Sequence, residues 1–133
     1  MKYLLDTCIV SYLFKGHETI EQKLKSISPD CVCISVITEF EIEYGMFIND
    51  GIREKLKYKW DQFKEIIQIL HYTSHDAYVA ANIRANLKKN WNPIGAYDVL
   101  IGSQAINRNL ILVTANISEF NKIDDMKLEN WYN

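Results

Sequence analysis

The stretch CVCISVITEFEIEYGMFI, residues 31–48, contains the strand-to-helix unit that decides the fold. Its first five residues form a short apolar run that is typical of a buried strand. Ser35 is a suitable N-cap for the next element, and apolar residues then recur at helical spacing from Val36 to Ile48. A strand that leads directly into a helix is half of the unit from which parallel sheets are built.

The same alternation extends along the rest of the chain. Short apolar runs predict further strands at residues 3–6, 66–71 and 110–114. Helical patterns occupy the other segments, at residues 11–27, 51–63, 76–89 and 96–107, with Ser74 as one candidate cap. We therefore predict an α/β fold, a three-layer α/β/α sandwich with a short central parallel sheet, and a single domain over residues 1–133.

The composition excludes several classes of protein. The chain has 133 residues, 48% hydrophobic and 24% charged, which is ordinary for a soluble globular protein. No apolar run is long enough to cross a bilayer, and Asp6 introduces a charge too early for a signal peptide, so we expect a cytoplasmic protein without a membrane partner. The three cysteines and three histidines lack the spacing of a zinc site or a disulfide framework, so we expect reduced, mostly structural thiols.

The net charge of −2 provides no global basic field that would attract a nucleic acid. A basic run at residues 53–59 has its cations at alternate positions, which fall on two sides of a helix, and we interpret it as solvated surface. Any nucleic-acid function must therefore depend on local features.

Asp6 is the first candidate for such a feature. In open parallel sheets the ligand site lies beyond the carboxyl ends of the strands, and Asp6 ends the first apolar run. The alternative for a lone Asp at this place is an N-cap of the helix that starts near Thr7. The functional interpretation gains from two further acids.

Glu41 is the second candidate. It lies at one margin of the apolar stripe predicted for the helix, whereas Glu39 points nearly the opposite way. Glu43 lies near the other margin, so the periodicity favours Glu41 without excluding Glu43. The stripe is formed by Val36, Ile37, Phe40, Tyr44, Phe47 and Ile48.

Asp98 is the third candidate and gives the sharpest signal. It shares a helical face with Ile101, Gly102 and Ala105, residues suited to close inward packing. A favourable interaction with the helix dipole would explain its place in the first turn but not the small apolar face on which it lies. We therefore favour an acid that faces the sheet and a site.

Asn116 follows the last predicted strand, and with Glu119 three residues later it is close to a capping-box arrangement. Asn116 or Thr114 could also hydrogen-bond a metal-bound water or a phosphate.

Carboxylates that meet at one sheet edge repel one another unless they are protonated or bound to a cation. Oxygen ligands without His or Cys favour Mg²⁺ or Mn²⁺ over zinc. Such a site is suited to the hydrolysis of phosphodiester bonds.

The ordered set of motifs resembles the PIN-domain ribonuclease toxins of the VapC type, which occur in bacterial toxin–antitoxin pairs. The motifs are Leu4-Leu5-Asp6-Thr7, the segment from Ile34 to Gly45, Pro93-Ile94-Gly95-Ala96-Tyr97-Asp98, and Leu112-Val113-Thr114-Ala115-Asn116. The resemblance covers residues 1–131 and implies a metal-dependent endoribonuclease, often acting on tRNA, that a cognate antitoxin inhibits. It assigns Asp6 and Asp98 to metal ligation and adds Glu41, four residues before Gly45, to the acidic cluster.

Two positions depart from the family pattern. Members often carry Asn or Asp where this chain has Cys8, and often an Asp where it has Asn116, so a fourth carboxylate is missing and a stable second metal is in doubt. The main rival function is a catalytically silent PIN-fold module that binds RNA or acts as a scaffold. A receiver domain is disfavoured because this chain lacks the residues that it requires. An Asp-dependent phosphatase would need a second acid at the position of Cys8.

We expect a homodimer. Several aromatic residues are candidates for core positions, an antitoxin groove or a dimer interface: Tyr12, Phe14, Tyr58, Trp60 and Phe63.

Overall fold

The computed structural model describes residues 1–133, whose five short strands form one parallel sheet. The strands are β1 (Tyr3–Leu5), β2 (Val32–Ser35), β3 (Gln68–Leu70), β4 (Ile111–Val113) and β5 (Lys127–Glu129). Their order across the sheet is β3-β2-β1-β4-β5, so β1 is central. The register pairs Leu5 with Ile34 on one side and with Val113 on the other.

Seven helices connect and cover the strands. They are α1 (Thr7–Phe14), α2 (Glu18–Lys25), α3 (Val36–Ile48), α4 (Asp50–Ile66), α5 (Ser74–Lys89), α6 (Ala96–Arg108) and α7 (Ile117–Phe120). A short 3-10 helix, Pro29–Cys31, precedes β2. None of the helices combines the length and apolar composition that crossing a bilayer requires.

Two hydrophobic cores lie on opposite faces of the sheet because successive strand residues point to opposite sides. Leu5, Ile34 and Val113 contribute to the core that includes Ile9 and Trp60. The residue that precedes each of these in its strand, Leu4, Cys33 or Leu112, points to the other side and contributes to the second core. Helices α5 and α6 help to build this second core. The predicted three-layer α/β/α arrangement is confirmed.

The second core depends on a close approach at Gly102. A Cβ atom at this position would lie 3.0 Å from Ile123 Cδ1 and 3.1 Å from Met126 Cε. Glycine therefore lets α6 pack directly against the segment that leads to β5, as its place on the small-residue face of α6 predicts.

Several predicted boundaries are wrong. The helix predicted at residues 11–27 is two helices, and Gly16, whose φ is 84°, lies between them. Ser74 is not the N-cap of α5. The cap is the preceding residue, Thr73, which forms a capping box with Asp76. The last strand β5 and the one-turn helix α7 were not predicted, since three or four residues carry too little periodicity.

The helix α3 presents a different face to the core than the one predicted. Its buried residues are Thr38 and Met46, with Ile42 packed against the same core. The predicted apolar stripe is largely exposed, at 50% for Phe40, 57% for Tyr44, 70% for Phe47 and 67% for Ile48. Contacts with α1 and α4, rather than the apolar stripe, orient this helix.

The aromatic candidates differ in burial, and Tyr12 is partly buried against the core that contains Trp60. Trp60 is fully buried, and Phe14 and Phe63 pack with it in edge-to-face and stacked pairs. Tyr58 is 72% exposed, and the basic run at residues 53–59 is exposed as predicted. All three cysteines are free thiols, and Cys33 is buried.

Candidate active site

Side chains from four separate elements line one cavity of about 390 Å³. Asp6 directly follows β1 and Asn116 follows the neighbouring strand β4, whereas Glu41 comes from α3 and Asp98 from the first turn of α6. The parallel pairing of β1 and β4 brings the two strand ends to the same edge. The structure thus brings together all four predicted site residues, while their chemical roles stay predictions.

Asp6 is both an N-cap and a residue of this cavity. Its carboxylate accepts a hydrogen bond of 2.9 Å from the backbone N–H of Ile9, which makes it the N-cap of α1. Burial raises the pKa of Asp6, and hydrogen bonding from Thr114, from the Cys8 thiol and from the Ile9 N–H opposes that shift. Asp6 therefore caps helix α1 and also lines the cavity.

Glu41 is held by a hydroxyl from another helix. Thr7 Oγ1 donates a hydrogen bond of 2.7 Å to Glu41 Oε1, and the same hydroxyl lies 3.0 Å from Thr38 Oγ1. The sequence did not identify Thr7 or Thr38 as site residues. Thr7 belongs to the motif that contains Asp6, but no sequence pattern links it to Glu41.

The other glutamates of α3 are directed away from the cavity. Glu43 Oε1 accepts hydrogen bonds from Trp60 Nε1 at 2.8 Å and from Lys64 Nζ at 3.0 Å. Glu39 Oε2 lies 3.7 Å from the same Lys64 Nζ. Glu41 is thus the one glutamate of this helix that lines the cavity with Asp6 and Asp98.

Asp98 carries the clearest sign of crowded negative charge. Burial raises its pKa to about 6, and repulsion from Asp6, Glu41 and Glu119 adds to that effect. An acid whose main interaction was with the N-terminal dipole of α6 would have a lowered pKa. The raised pKa of Asp98 therefore indicates that burial and, in addition, the neighbouring acids disfavour its charged form.

Asn116 lines the cavity without acting as a side-chain cap. It is the N-cap residue of α7, but its side chain makes no capping hydrogen bond, so the predicted capping box is wrong. Glu119 instead pairs with Lys122 at 3.2 Å. The backbone N–H of Asn116 donates to Thr114 Oγ1 at 2.9 Å, which shapes the turn after β4.

Comparison with known proteins decides the family. Residues 3–126 match the PIN domain. The chain belongs to the PIN-domain family.

Relatives cover nearly the whole chain. It is 32% identical over 133 residues to Ribonuclease VapC2 of Rickettsia felis, with 98% of each protein covered. It is 29% identical over 131 residues to tRNA(fMet)-specific endonuclease VapC of Salmonella typhimurium, again with 98% of each covered. The crystal structure of Rickettsia felis VapBC2 bound to a DNA fragment from their promoter matches with a TM-score of 0.90 and 31% identity, covering 98% of this chain and 99% of that one. The resemblance inferred from the motifs is confirmed.

Cys8, one of the two positions at which the resemblance led us to expect a departure from the family pattern, contacts Asp6. The Cys8 thiol donates to both carboxylate oxygens of Asp6, at 3.0 and 3.1 Å. Burial, together with the nearby charge of Asp6, raises the pKa of Cys8 to about 12. The thiol is therefore a neutral donor that orients Asp6, a role that no sequence pattern indicated.

The donor set of this PIN-domain cavity fits a hard divalent cation. Three carboxylates and an amide offer only oxygen as a ligand atom at neutral pH, because the Cys8 thiol stays protonated. No three His, Cys, Asp or Glu side chains are drawn close enough together to hold a metal ion by themselves. Mg²⁺ usually keeps several waters and takes one or two carboxylates directly, so a site that holds it does not require three such side chains.

One cation also lines the cavity and was missed at the sequence level. Lys15, which follows the last residue of α1, lies beside Ser11 and Tyr12 in the cavity wall. A single lysine at a helix end is common, so only its place in the same cavity as the acids makes it a candidate for contact with a phosphate.

Proposed function

We propose that the chain is an endoribonuclease that hydrolyses RNA phosphodiester bonds in the cavity lined by Asp6, Glu41 and Asp98. The observation that carries this proposal is that acids from three separate elements line one cavity, where burial, with repulsion between the acids added to it, raises the pKa of Asp98 to about 6. A protein gains no stability from such crowding, so a function is the better explanation. The names of its relatives, ribonuclease and tRNA-specific endonuclease, agree with it.

The cofactor that we propose is Mg²⁺ or Mn²⁺, held by Asp6 and Asp98 with Glu41 completing the acidic cluster. When bound, the cation would activate a water and neutralise charge on the phosphate. The chain's own residues orient these ligands: Ile9 N–H and the Cys8 thiol hold Asp6, and Thr7 holds Glu41 Oε1. Because Thr7 binds only Oε1 of Glu41, the other carboxylate oxygen, Oε2, can bind the metal or the attacking water.

In the proposed reaction a water oxygen bonds to phosphorus while the bond from phosphorus to one nucleotide oxygen breaks. The proton from the water passes to the carboxylate cluster, and the leaving oxygen takes up a proton from solvent water. Lys15, which lines the same cavity, binds the phosphate, and Asn116 orients the water through its amide.

The direct experiment is cleavage of purified RNA by the purified chain. We expect cleavage of tRNA with Mg²⁺ or Mn²⁺ and loss of cleavage when a chelator is added. The variants Asp6→Asn and Asp98→Asn should lose nearly all activity. Undiminished cleavage in chelator would refute the metal, and absence of cleavage under every metal would favour a silent module that binds RNA.

We further propose that the chain is the toxin of a toxin–antitoxin pair and works in the cytoplasm, where its RNA substrate is found. The similar Rickettsia felis and Salmonella typhimurium structures are VapBC complexes, which supports an antitoxin as partner. Where a small protein is encoded beside this chain, we expect co-expression with that protein to suppress the RNA cleavage and the growth arrest that we expect from the chain alone.

The exposed face of α3 supports a homodimer. Phe40, Tyr44, Phe47 and Ile48 are all at least half exposed, and the Phe40 ring meets the Tyr97 ring edge to face at 5.6 Å between centroids. We define these five residues as the aromatic face. An exposed group of apolar side chains of this kind is typical of protein–protein interfaces, and a two-fold axis would pair it with itself.

A further inference from the structure

A second cavity, of about 670 Å³, lies outside the acidic site, where α5 ends. Its wall contains three cations, Arg84, Lys88 and Lys89, together with Trp91, and it contains no acidic residue. The indole of Trp91 is 93% exposed, the highest value among the large hydrophobic residues. We name Arg84, Lys88, Lys89 and Trp91 the tryptophan patch.

The backbone at Trp91 indicates that its side chain is not there for stability. The Trp91 N–H donates to the Lys88 carbonyl and the Asn92 N–H to the Leu87 carbonyl, which is the pattern of a Schellman motif. Trp91 occupies the position of that motif where glycine is preferred, and its φ is 54°. A bulky residue in the left-handed region is unfavourable, and an almost fully exposed indole regains little of that cost by packing.

The cations of the tryptophan patch lack acidic partners. Five of the fifteen cations of the chain form ion pairs with acids, and Arg84, Lys88 and Lys89 are among the ten that form none. Lys88 and Lys89 in the last turn of α5 interact favourably with the helix dipole, but Arg84 lies outside that turn. In a chain with a net charge of −2, this is a local concentration of positive charge around an exposed aromatic ring.

A short stretch of chain links the patch to the acidic site. From Trp91 the chain runs through Pro93 and Ile94, which line the same cavity, to Gly95, the N-cap of α6. Val99 closes the cavity wall and directly follows Asp98. A bound polymer that followed this segment away from the tryptophan patch would therefore reach the N-terminus of α6, where Asp98 lies.

We propose that the tryptophan patch is a binding subsite for a single-stranded segment of the RNA substrate. The Trp91 indole stacks on a base, and the three cations contact the phosphates next to it. Unpaired bases and adjacent phosphates are what an exposed aromatic ring flanked by cations recognises. The subsite rests on the proposed ribonuclease function and adds to it the part of the substrate that is bound outside the cleavage site.

The test is an equilibrium titration that does not depend on cleavage. Trp60 and Trp131 are buried, at 0% and 3% exposure, so quenching of tryptophan fluorescence by added ligand reports mainly on Trp91. The full chain carrying Asp98→Asn is titrated with a single-stranded RNA oligonucleotide, with the same sequence as a duplex, and with heparin. We expect quenching with the single strand and little with the duplex or heparin, which provide no free base.

Affinities of variants are then compared by the anisotropy of labelled RNA. Trp91→Gly should bind the single strand roughly five- to a hundredfold more weakly, and Trp91→Phe should recover part of the loss. Replacing Arg84, Lys88 and Lys89 together by Ala should reduce the slope of log affinity against log salt by about 0.7 for each phosphate that is no longer neutralised. Tyr58→Ala and Lys55→Ala, which alter an exposed aromatic and an exposed cation on α4, are the matched controls and should bind as the parent does.

Stability separates binding from a structural role. Trp91→Gly should melt at a higher temperature than the parent, because glycine suits the left-handed position, while RNA binding falls. Unchanged RNA affinity in Trp91→Gly while the parent still cleaves RNA would overturn the subsite and leave the ribonuclease proposal intact. A change in oligomeric state or loss of antitoxin binding, with RNA affinity unchanged, would instead identify the patch as a protein interface and also overturn it.

Discussion

Thr7 Oγ1 donates a 2.7 Å hydrogen bond to Glu41 Oε1 and thereby joins the first residue of α1 to the middle of α3. The bond connects two residues 34 positions apart in the chain. It directs one of three glutamates on α3 into the cavity with Asp6 and Asp98, so the site depends on how two helices pack as well as on its acids.

Removing this hydroxyl should weaken catalysis without unfolding the protein. We expect Thr7→Val to reduce kcat by roughly tenfold, because a hydrogen bond to a charged group contributes about 1.5–3 kcal/mol to holding Glu41 in place. Thr7→Ser should retain most of the activity. The measurement is kcat and KM on one RNA substrate, and equal losses in Thr7→Val and Thr7→Ser would contradict a role for the hydroxyl.

Glu41 and Glu43 should respond in opposite ways to the same change. Glu41→Gln should abolish most RNA cleavage with little effect on folding. Glu43→Gln should keep its activity and lose about 1 kcal/mol of stability, because its hydrogen bonds to Trp60 and Lys64 are weakened. Activity and urea denaturation of both variants check this, and an inactive but stable Glu43→Gln would show that the assignment is reversed.

The metal-free protein should become more stable when Asp98 is replaced by Asn. The folded state raises the pKa of Asp98 from 3.8 to about 6, so it binds more protons than the unfolded state between these values, and the free energy of unfolding falls as the pH rises through them. Above that window Asp98→Asn lacks this penalty. Thermal melting in chelator should therefore give a higher Tm for Asp98→Asn than for the parent at pH 7.

Excess Mg²⁺ should reverse that order. A ligand that binds only the folded state stabilises it by about 2.7 kcal/mol at a hundredfold excess over its Kd, and Asp98→Asn should gain much less than the parent. A variant that melts below the parent in chelator and gains equally from Mg²⁺ would show that Asp98 serves the fold.

Asp76 should make the fold sensitive to acid, far from the catalytic chemistry. Its carboxylate is buried, which by itself raises the pKa, but hydrogen bonds from Arg108, the Thr73 N–H and Asn107 and the charge of Arg108 outweigh burial and hold the pKa well below its usual value. The resulting stability is present above pH 3.8 and is lost as the pH falls below it.

Arg108→Ala should cost about 3 kcal/mol at pH 7, since it leaves a buried carboxylate without its ion pair. Denaturant unfolding as a function of pH measures both effects. If Arg108→Ala unfolded at the same denaturant concentration as the parent at pH 7, the ion pair would have no such importance.

A charge on the aromatic face should dissociate the proposed homodimer. We expect Phe47→Glu to convert a dimer into a monomer in sedimentation equilibrium, because a desolvated charge opposes burial of the face. Tyr58→Glu on α4, also strongly exposed, is the matched control and should leave the dimer unchanged. A parent chain that sediments as a monomer at every concentration would contradict the homodimer.

The layered fold could be predicted from the sequence because its cause is local. Buried strands of a parallel sheet are short apolar runs, helices show a 3.6-residue period, and both patterns are visible without knowledge of the neighbours. The same reasoning located Asp6 at a strand end and Asp98 on the small-residue face of α6, beside Gly102.

Helix α3 marks the limit of that reasoning. Its apolar stripe pointed to Phe40, Tyr44 and Phe47 as core residues, yet these are exposed. The core-facing side is instead chosen by contacts with α1 and α4, as in the hydrogen bond from Trp60 to Glu43. Periodicity shows that one face of a helix is apolar, but it does not show whether that face packs on the core or stays exposed.

By itself, the sequence determined which residue types stand at the ends of the strands and on the faces of the helices, because those positions follow from the period of each element. Only the tertiary structure decided that Thr7 holds Glu41, that the Cys8 thiol donates to Asp6, and that Trp91 stands exposed among unpaired cations. Such contacts join residues or surfaces whose approach depends on packing and on which charges find partners, and local sequence patterns carry no record of either.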